Sequence, residues 1–229
     1  MTEPPRQARR VGRPARINRA TIVTAARSVL EAEGLDALTM RRLAREVGRA
    51  PMALYHHVSS RSELLTAVLS VQAGEIPRPK LPADPRDRMV AVACHLHGAL
   101  AEVPWVMEVL SHGEGVGVPA LWISDEFLAS ARDWGATPER ALHMFRSIWH
   151  YIIGELTHRF HARRRKTDPE LPDDWRASVG ETDLVDVPTL RAMLPEWDRL
   201  SASYDVPVAI TELIDGMLAV TRPEGRTSI

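Results

Sequence analysis

The sequence predicts an all-α protein, with an N-terminal three-helix domain followed by a larger helical domain. Three observations carry that reading. Apolar residues recur at spacings of three and four along most of the 229 residues, the alternation expected of half-buried strands is absent, and Ser, Thr, Pro and Gly fall where helices begin and end.

Residues 1–17 form a basic, proline-bearing arm without hydrophobic periodicity, the composition of a segment that cannot bury a core. Ile22, Ala25, Ala26, Val29 and Leu30 then make the stripe of an amphipathic helix, and Gly34 stops it. Thr39 is placed as an N-cap before Leu43, Ala44 and Val47, with Gly48 closing that short helix. After a tight turn, the stretch 50–58 sets Leu54 and Val58 on one face. Ser60 and Glu63 have capping-box spacing and open a further helix bearing Leu64, Leu65, Val68, Leu69 and Gln72. Four prolines between Pro77 and Pro85 cannot continue a helix, so the seam is expected there. The domains read as 18–76, a linker at 77–85, and 86–222 with a short tail at 223–229. In the second domain, helices are expected at about 85–103, 104–112, 119–134 and 137–165. A polar loop at about 166–186 precedes helices at 188–203 and 206–221.

Composition limits the function. The longest stretch free of Asp, Glu, Lys and Arg is Met89–Ala101, too short for a membrane-spanning helix of about twenty residues. The charged N-terminus is followed by no apolar segment of the secretory kind, and a lone Cys94 suits a reducing compartment, so the expected location is the cytoplasm. The net charge of −1 hides an asymmetry: residues 1–66 hold twelve Arg, no Lys and six acids, +6, whereas the rest holds 17 bases and 24 acids, −7. A basic module on an acidic body fits a polyanion partner.

The stretch from Thr39 to Val58 supplies the chemistry. A helix-turn-helix needs two helices held close by small residues, the first bracing on the DNA backbone and the second presenting its N-terminal residues to the major groove. Ala44 allows the close approach, Gly48 the left-handed turn, and Pro51 a first-turn position where its missing N–H costs nothing. Met52 and Ala53 offer apolar surface to a thymine methyl group, and Arg49 is the side chain near the helix start able to grip a guanine edge.

These residues resemble the tetracycline-repressor (TetR) family. The resemblance covers about residues 18–70 and rests on the Ile22–Gly34 helix, Leu38-Thr39, Leu43-Ala44, Gly48, the Leu54-Tyr55-x-His57-Val58 run and Arg61-x-Glu63-Leu64-Leu65. It implies a homodimer on double-stranded DNA carrying a palindromic operator, and a helical body that binds a small effector and thereby relieves repression. By that resemblance Thr39, Arg41 and Arg42 touch DNA from the bracing helix, and Ala50, Pro51, Met52 and Ala53 occupy the base-reading places. Tyr55, His56 and His57 follow as phosphate and groove contacts, and Arg61 meets phosphate. His56 also fits a merely solvated position. Arg13 and Arg16 resemble a minor-groove arm, and fit an ordinary solubilising tail equally well.

The segment from Gly135 to Gly154 and the run Glu212–Gly216 resemble the C-terminal domain of the tetracycline-repressor type. On that resemblance the helices at 137–165 and 206–221 form a four-helix bundle across a dimer axis, with Ile148, Ile152, Leu156, Leu213, Ile214, Met217 and Leu218 as its apolar faces. Effector-pocket candidates are Trp105, Met107, His112, Trp122, Phe127, Met144, Phe145, Trp149, Met193 and Trp197, Trp105 first because it falls at a pocket aromatic of the family. An aromatic stripe at helical spacing is also what a core looks like. The pocket His that holds a metal in the tetracycline-binding member has no counterpart, and the loop after His112 is shorter, so no magnesium-chelated effector is expected.

Rival readings are weaker. Glu155, His158 and His161 share a helical face, but a metal centre needs partner ligands from other helices, and no matching motif occurs. Cys94 and His95 are helix neighbours whose side chains point apart. The run Arg163–Lys166 ends a helix and is followed by acids, which reads as surface. No catalytic residue, metal or cofactor is therefore expected. A DNA-binding scaffold that senses no small molecule remains the alternative.

Overall fold

The computed structural model describes residues 17–111, 117–167 and 175–221, and among them every regular element is helical. The chain divides into two compact units, one closing at Val68 and the other beginning at Leu69.

In the first unit, α1 (Arg19–Glu33) starts at Asn18, whose Oδ1 accepts from the Thr21 N–H at 2.8 Å. It ends at Gly34, where φ is 79°. α2 (Met40–Glu46) is capped by Thr39, whose Oγ1 accepts from the Arg42 N–H at 3.0 Å. Gly48 then turns the chain at φ 64°, a conformation that a Cβ disfavours. α3 (Pro51–Tyr55) carries proline in its first turn. α4 (Arg61–Gly74) opens on the expected capping box: Glu63 Oε2 accepts from the Ser59 N–H at 2.7 Å, and Ser60 Oγ accepts from the Glu63 N–H at 3.1 Å. Ile22, Leu30, Leu38, Leu43, Leu54, Leu64 and Leu65 are fully buried and form the core of this unit. Burying each such side chain contributes about 1.5–3 kcal/mol, which is what holds so small a unit together.

In the second unit, α5 (Pro85–Ala101) is the central helix, capped by Asp84 and flanked by α6 (Pro104–Ser111), α7 (Leu121–Trp134), α8 (Pro138–Thr167) and α11 (Val206–Ala219). Met89, Val92, Ile123, Phe127, Met144, Ile148, Ile152, Ile210 and Ile214 fill the space between them. Arg86 clamps α5 to α11 through two 2.7 Å bonds to the Asp215 carboxylate. That contact holds the Asp215 carboxyl below the usual carboxylate range.

Three boundaries differ from the sequence expectation. The compact units divide inside α4, between Val68 and Leu69, while the proline-rich stretch 77–85 lies within the second unit. The helix runs on past Val68, and its last turns pack into the second unit, a continuity that helical periodicity alone cannot reveal. The segment at 188–203 is not one helix: α9 (Pro188–Met193) and α10 (Trp197–Ala202) are joined by a 3-10 turn at Leu194–Glu196. Pro195 has no N–H to continue the ladder there. The loop before them carries short 3-10 turns at Trp175–Ser178 and Glu181–Leu184.

Candidate nucleic-acid interface and effector cavities

α2 and α3 cross over Leu43, Ala44 and Leu54, all buried, and the Arg49 N–H donates to the Ala44 carbonyl at 2.9 Å to fix the turn. That packing leaves Thr39 and Arg41 exposed on α2, and Ala50, Pro51, Met52, Tyr55 and His56 exposed on and beside α3. Arg49, Ala53 and His57 are half-buried at its edge. Met52 stands 71% exposed and Tyr55 48%, although both are large and Met52 is wholly apolar. Arg45 is also exposed, one turn after Arg41 and Arg42.

Two residues expected at the DNA also hold partners within the protein. Arg42 spans α1 and α2, with Nη2 donating to Glu33 Oε1 at 2.5 Å and Nη1 to Glu46 Oε2 at 2.7 Å. Its charge is balanced by two carboxylates, and the Arg42 hydrogen bonds hold the Glu33 carboxyl below its ordinary range. Arg61 donates from Nε to the Leu38 carbonyl and from Nη2 to the Leu35 carbonyl, each at 2.9 Å. It satisfies loop carbonyls between α1 and α2, and this use of its fork leaves less of it for a phosphate. Arg13 and Arg16 lie outside the described residues, as does His112.

The aromatic candidates of the second unit do not gather around one pocket. Trp105, Met107, Trp122, Phe127 and Met144 are buried. Phe127 packs on Phe145 with ring centroids 5.8 Å apart. Trp122 has Arg78 4.9 Å above its ring and His95 5.8 Å from it, while His95 Nε2 lies 2.9 Å from the Pro77 carbonyl oxygen. Trp122 therefore straps the proline-rich stretch to α5 and α7. Trp149 lines a cavity of 50 Å³ with Leu69, Gln72, Leu96, Val106 and Gly117. Met107 lines a separate pocket of 250 Å³, and Met193 and Trp197 an open groove of 800 Å³.

Gln72 was legible only as a polar residue in the apolar stripe of α4. Its Oε1 is buried and without a hydrogen-bond partner, as is Trp105 Nε1. Gly117 approaches α4 so closely that a Cβ there would lie 2.6 Å from the Leu69 carbonyl oxygen and 2.6 Å from Ala73 Cβ.

Of the residues in the metal and nucleophile readings, Glu155 and His95 hold other partners. Glu155 Oε2 lies 2.6 Å from His97 Nε2, and its Oε1 accepts from Arg159 Nε at 2.8 Å, so both carboxylate oxygens are used. Among the described residues no group of three His, Cys, Asp or Glu side chains is placed to hold a metal ion. Burial pushes the Cys94 thiol above its ordinary range, away from thiolate reactivity.

With this geometry in place, comparison with known proteins is decisive for the first unit. Residues 22–68 match the family model described as bacterial regulatory proteins, tetR family. Over those residues the chain is similar to the DNA-binding domain of the TetR family. The match ends at Val68, the residue at which the first compact unit closes. The HTH-type transcriptional repressor DrrR1 of Streptomyces coeruleorubidus is 29% identical over 69% of this chain, and the match spans 60% of that relative's length. Two solved structures share the fold. The TetR family protein ActR of Streptomyces coelicolor, in complex with actinorhodin, has a TM-score of 0.64 at 22% identity, covering 90% of this chain and 98% of its own. BioQ with its natural double-stranded DNA operator has a TM-score of 0.60 at 22% identity, covering 89% of this chain and 99% of its own. The exposed surface of α2 and α3 lies within the matched residues.

Proposed function

We propose that the protein is a cytoplasmic transcriptional repressor that binds a palindromic operator as a homodimer and is released by a small, largely apolar effector. The observation that carries this reading is the exposed Met52–Tyr55 face on a helix that a buried α2–α3 crossing holds rigid. Thr39, Arg41, Arg49 and Tyr55 supply donors to the DNA, the hydroxyl of Thr39 keeping its hydrogen because the cap uses only its oxygen. Met52 and Ala53 present methyl-sized surface to base edges. The repressor name of DrrR1, the operator bound to BioQ and the actinorhodin bound to ActR support the same three roles here: repression, DNA and small ligand.

Of the apolar residues expected at the dimer face, several are covered within the protomer and Leu213 is exposed. Ile148, Ile152, Leu156, Ile214 and Leu218 are buried within the protomer's own core, where they pack α5, α8 and α11 together. Leu142 on α8 and Leu213 on α11 are 47% and 42% exposed, and these serve the four-helix contact with a second copy.

The effector enters beside α4. A cavity of 50 Å³ is far below the roughly 300–1,000 Å³ of ordinary ligand pockets, so occupancy requires a wall to move. Leu69, Gln72 and Ala73 in the second half of α4 form one wall, and Gln72 Oε1 is free to accept from a ligand hydroxyl or N–H. Screening compounds by thermal shift and then by operator release tests this. A compound that stabilises the protein and frees the DNA is expected; stabilisers that never affect operator binding would favour a regulator without an effector.

A further inference from the structure

The run Arg163–Lys166, which the DNA-reading and effector sites leave unused, begins on the rim of a second, chemically distinct pocket. It measures 250 Å³ and lies between α6 and the last turns of α8. Its apolar wall is Pro104 and the buried Met107 from α6, with half-buried Phe160 from α8. Thr157, Phe160, His161 and Arg164 fall at helical spacing, so one face of α8 supplies a hydroxyl, a ring, an imidazole and a cation to the same space. Arg163 adds a second, exposed guanidinium at the rim. Glu108 is the one acid there, and both it and Arg164 already hold other interactions in the protein. With Arg163 and Arg164 against Glu108 the rim carries a net positive charge.

We propose that this pocket binds a small amphipathic organic anion, its apolar body against Met107 and Phe160 and its anionic group on Arg163, with His161 beside it. The reasoning is complementarity. An apolar wall alone would favour any hydrophobe, and a basic rim alone any anion; only a molecule with both parts uses the whole site. A guanidinium fork matches a carboxylate better than an ammonium does, which makes a carboxylic acid the favoured class. The volume lies just under the usual range for ligand pockets, so a single short chain or one ring fits and a large polycycle does not. The site is separate from the cavity beside α4, with which it shares no lining residue.

The test uses the full-length chain and two probes of equal length, octanoate and octanol, titrated by calorimetry. Octanoate is expected to bind saturably and octanol about tenfold more weakly, the loss of one charge-assisted contact. Arg163→Gln, an exposed change that spares the core, should weaken octanoate about tenfold and leave octanol unaltered. Thr157→Trp should fill the pocket and abolish binding of both. Equal affinity for the two probes, undiminished octanoate binding by Arg163→Gln, or no octanoate binding at all would each overturn the proposal. Operator affinity measured on the same proteins keeps this outcome separate from the repressor reading, which stands or falls on DNA binding alone.

Discussion

Arg42 on α2 and Glu33 at the end of α1 are locked together by three hydrogen bonds, the shortest running from Nη2 to Oε1 at 2.5 Å. Arg41, one residue earlier, faces solvent. Two adjacent arginines of the same helix thus differ: one ties α2 to α1, and the other is left exposed for the DNA contact proposed above.

Substitution separates the two roles. Arg42→Ala should lower the melting temperature, because Glu33 and Glu46 lose their shared cation. Glu33 has a folded-state pKa below its ordinary value, so its contribution is present above that ordinary value and lost as pH falls through the folded one. The difference in melting temperature between wild type and Arg42→Ala should therefore shrink on acidification from neutral pH to below the carboxylate range. A difference that does not change with pH would contradict the clamp.

Arg41→Ala should leave the melting temperature unchanged and weaken operator binding. Affinity falls linearly with salt on logarithmic axes, and loss of one phosphate contact should reduce that slope by about one. An unaltered slope by fluorescence anisotropy would place Arg41 away from the backbone.

Gly117→Val should destabilise the second unit by about 1–3 kcal/mol, since its Cβ meets the α4 backbone and cannot be accommodated by rotating a side chain. Thermal denaturation reads this directly. If the variant is as stable as wild type, the close approach that walls the cavity does not exist.

Glu155→Ala strands both His97 and Arg159, with only a small part of the carboxylate reaching solvent. A loss of about 1–3 kcal/mol follows from leaving buried donors unpaired. Chemical denaturation should show it at neutral pH, and addition of zinc to wild type should leave its unfolding curve in place.

Leu142→Asp together with Leu213→Asp should convert the dimer to monomers in sedimentation and abolish operator binding while the helical content by circular dichroism persists. Retained dimers would move the interface elsewhere.

Much of this was legible in the sequence, and the reasons are local. Thr39, Gly48, Pro51 and the Ser60–Glu63 capping box act on backbone groups within a few residues of themselves, so their spacing is sufficient evidence. What escaped is long-range. Arg42 and Arg61 carry the right charge at the right place for DNA, yet their partners lie nine and more than twenty residues away, across turns that periodicity cannot fold. Trp122 likewise takes Arg78 and His95 on its ring, partners 44 and 27 residues away in sequence. The apolar stripes of α8 and α11 were found correctly, but a stripe does not say whether its own core or a second copy covers it.

The central claim concerns DNA, and selection of bound duplexes from a random pool tests it most directly. The purified full-length protein should enrich an inverted repeat whose half-sites lie about one helical turn apart, roughly 34–36 Å, and Tyr55→Ala should lose that enrichment without losing its fold. Enrichment of no sequence over the input pool, or equal enrichment by Tyr55→Ala, would contradict the assignment of α3 as the reading helix.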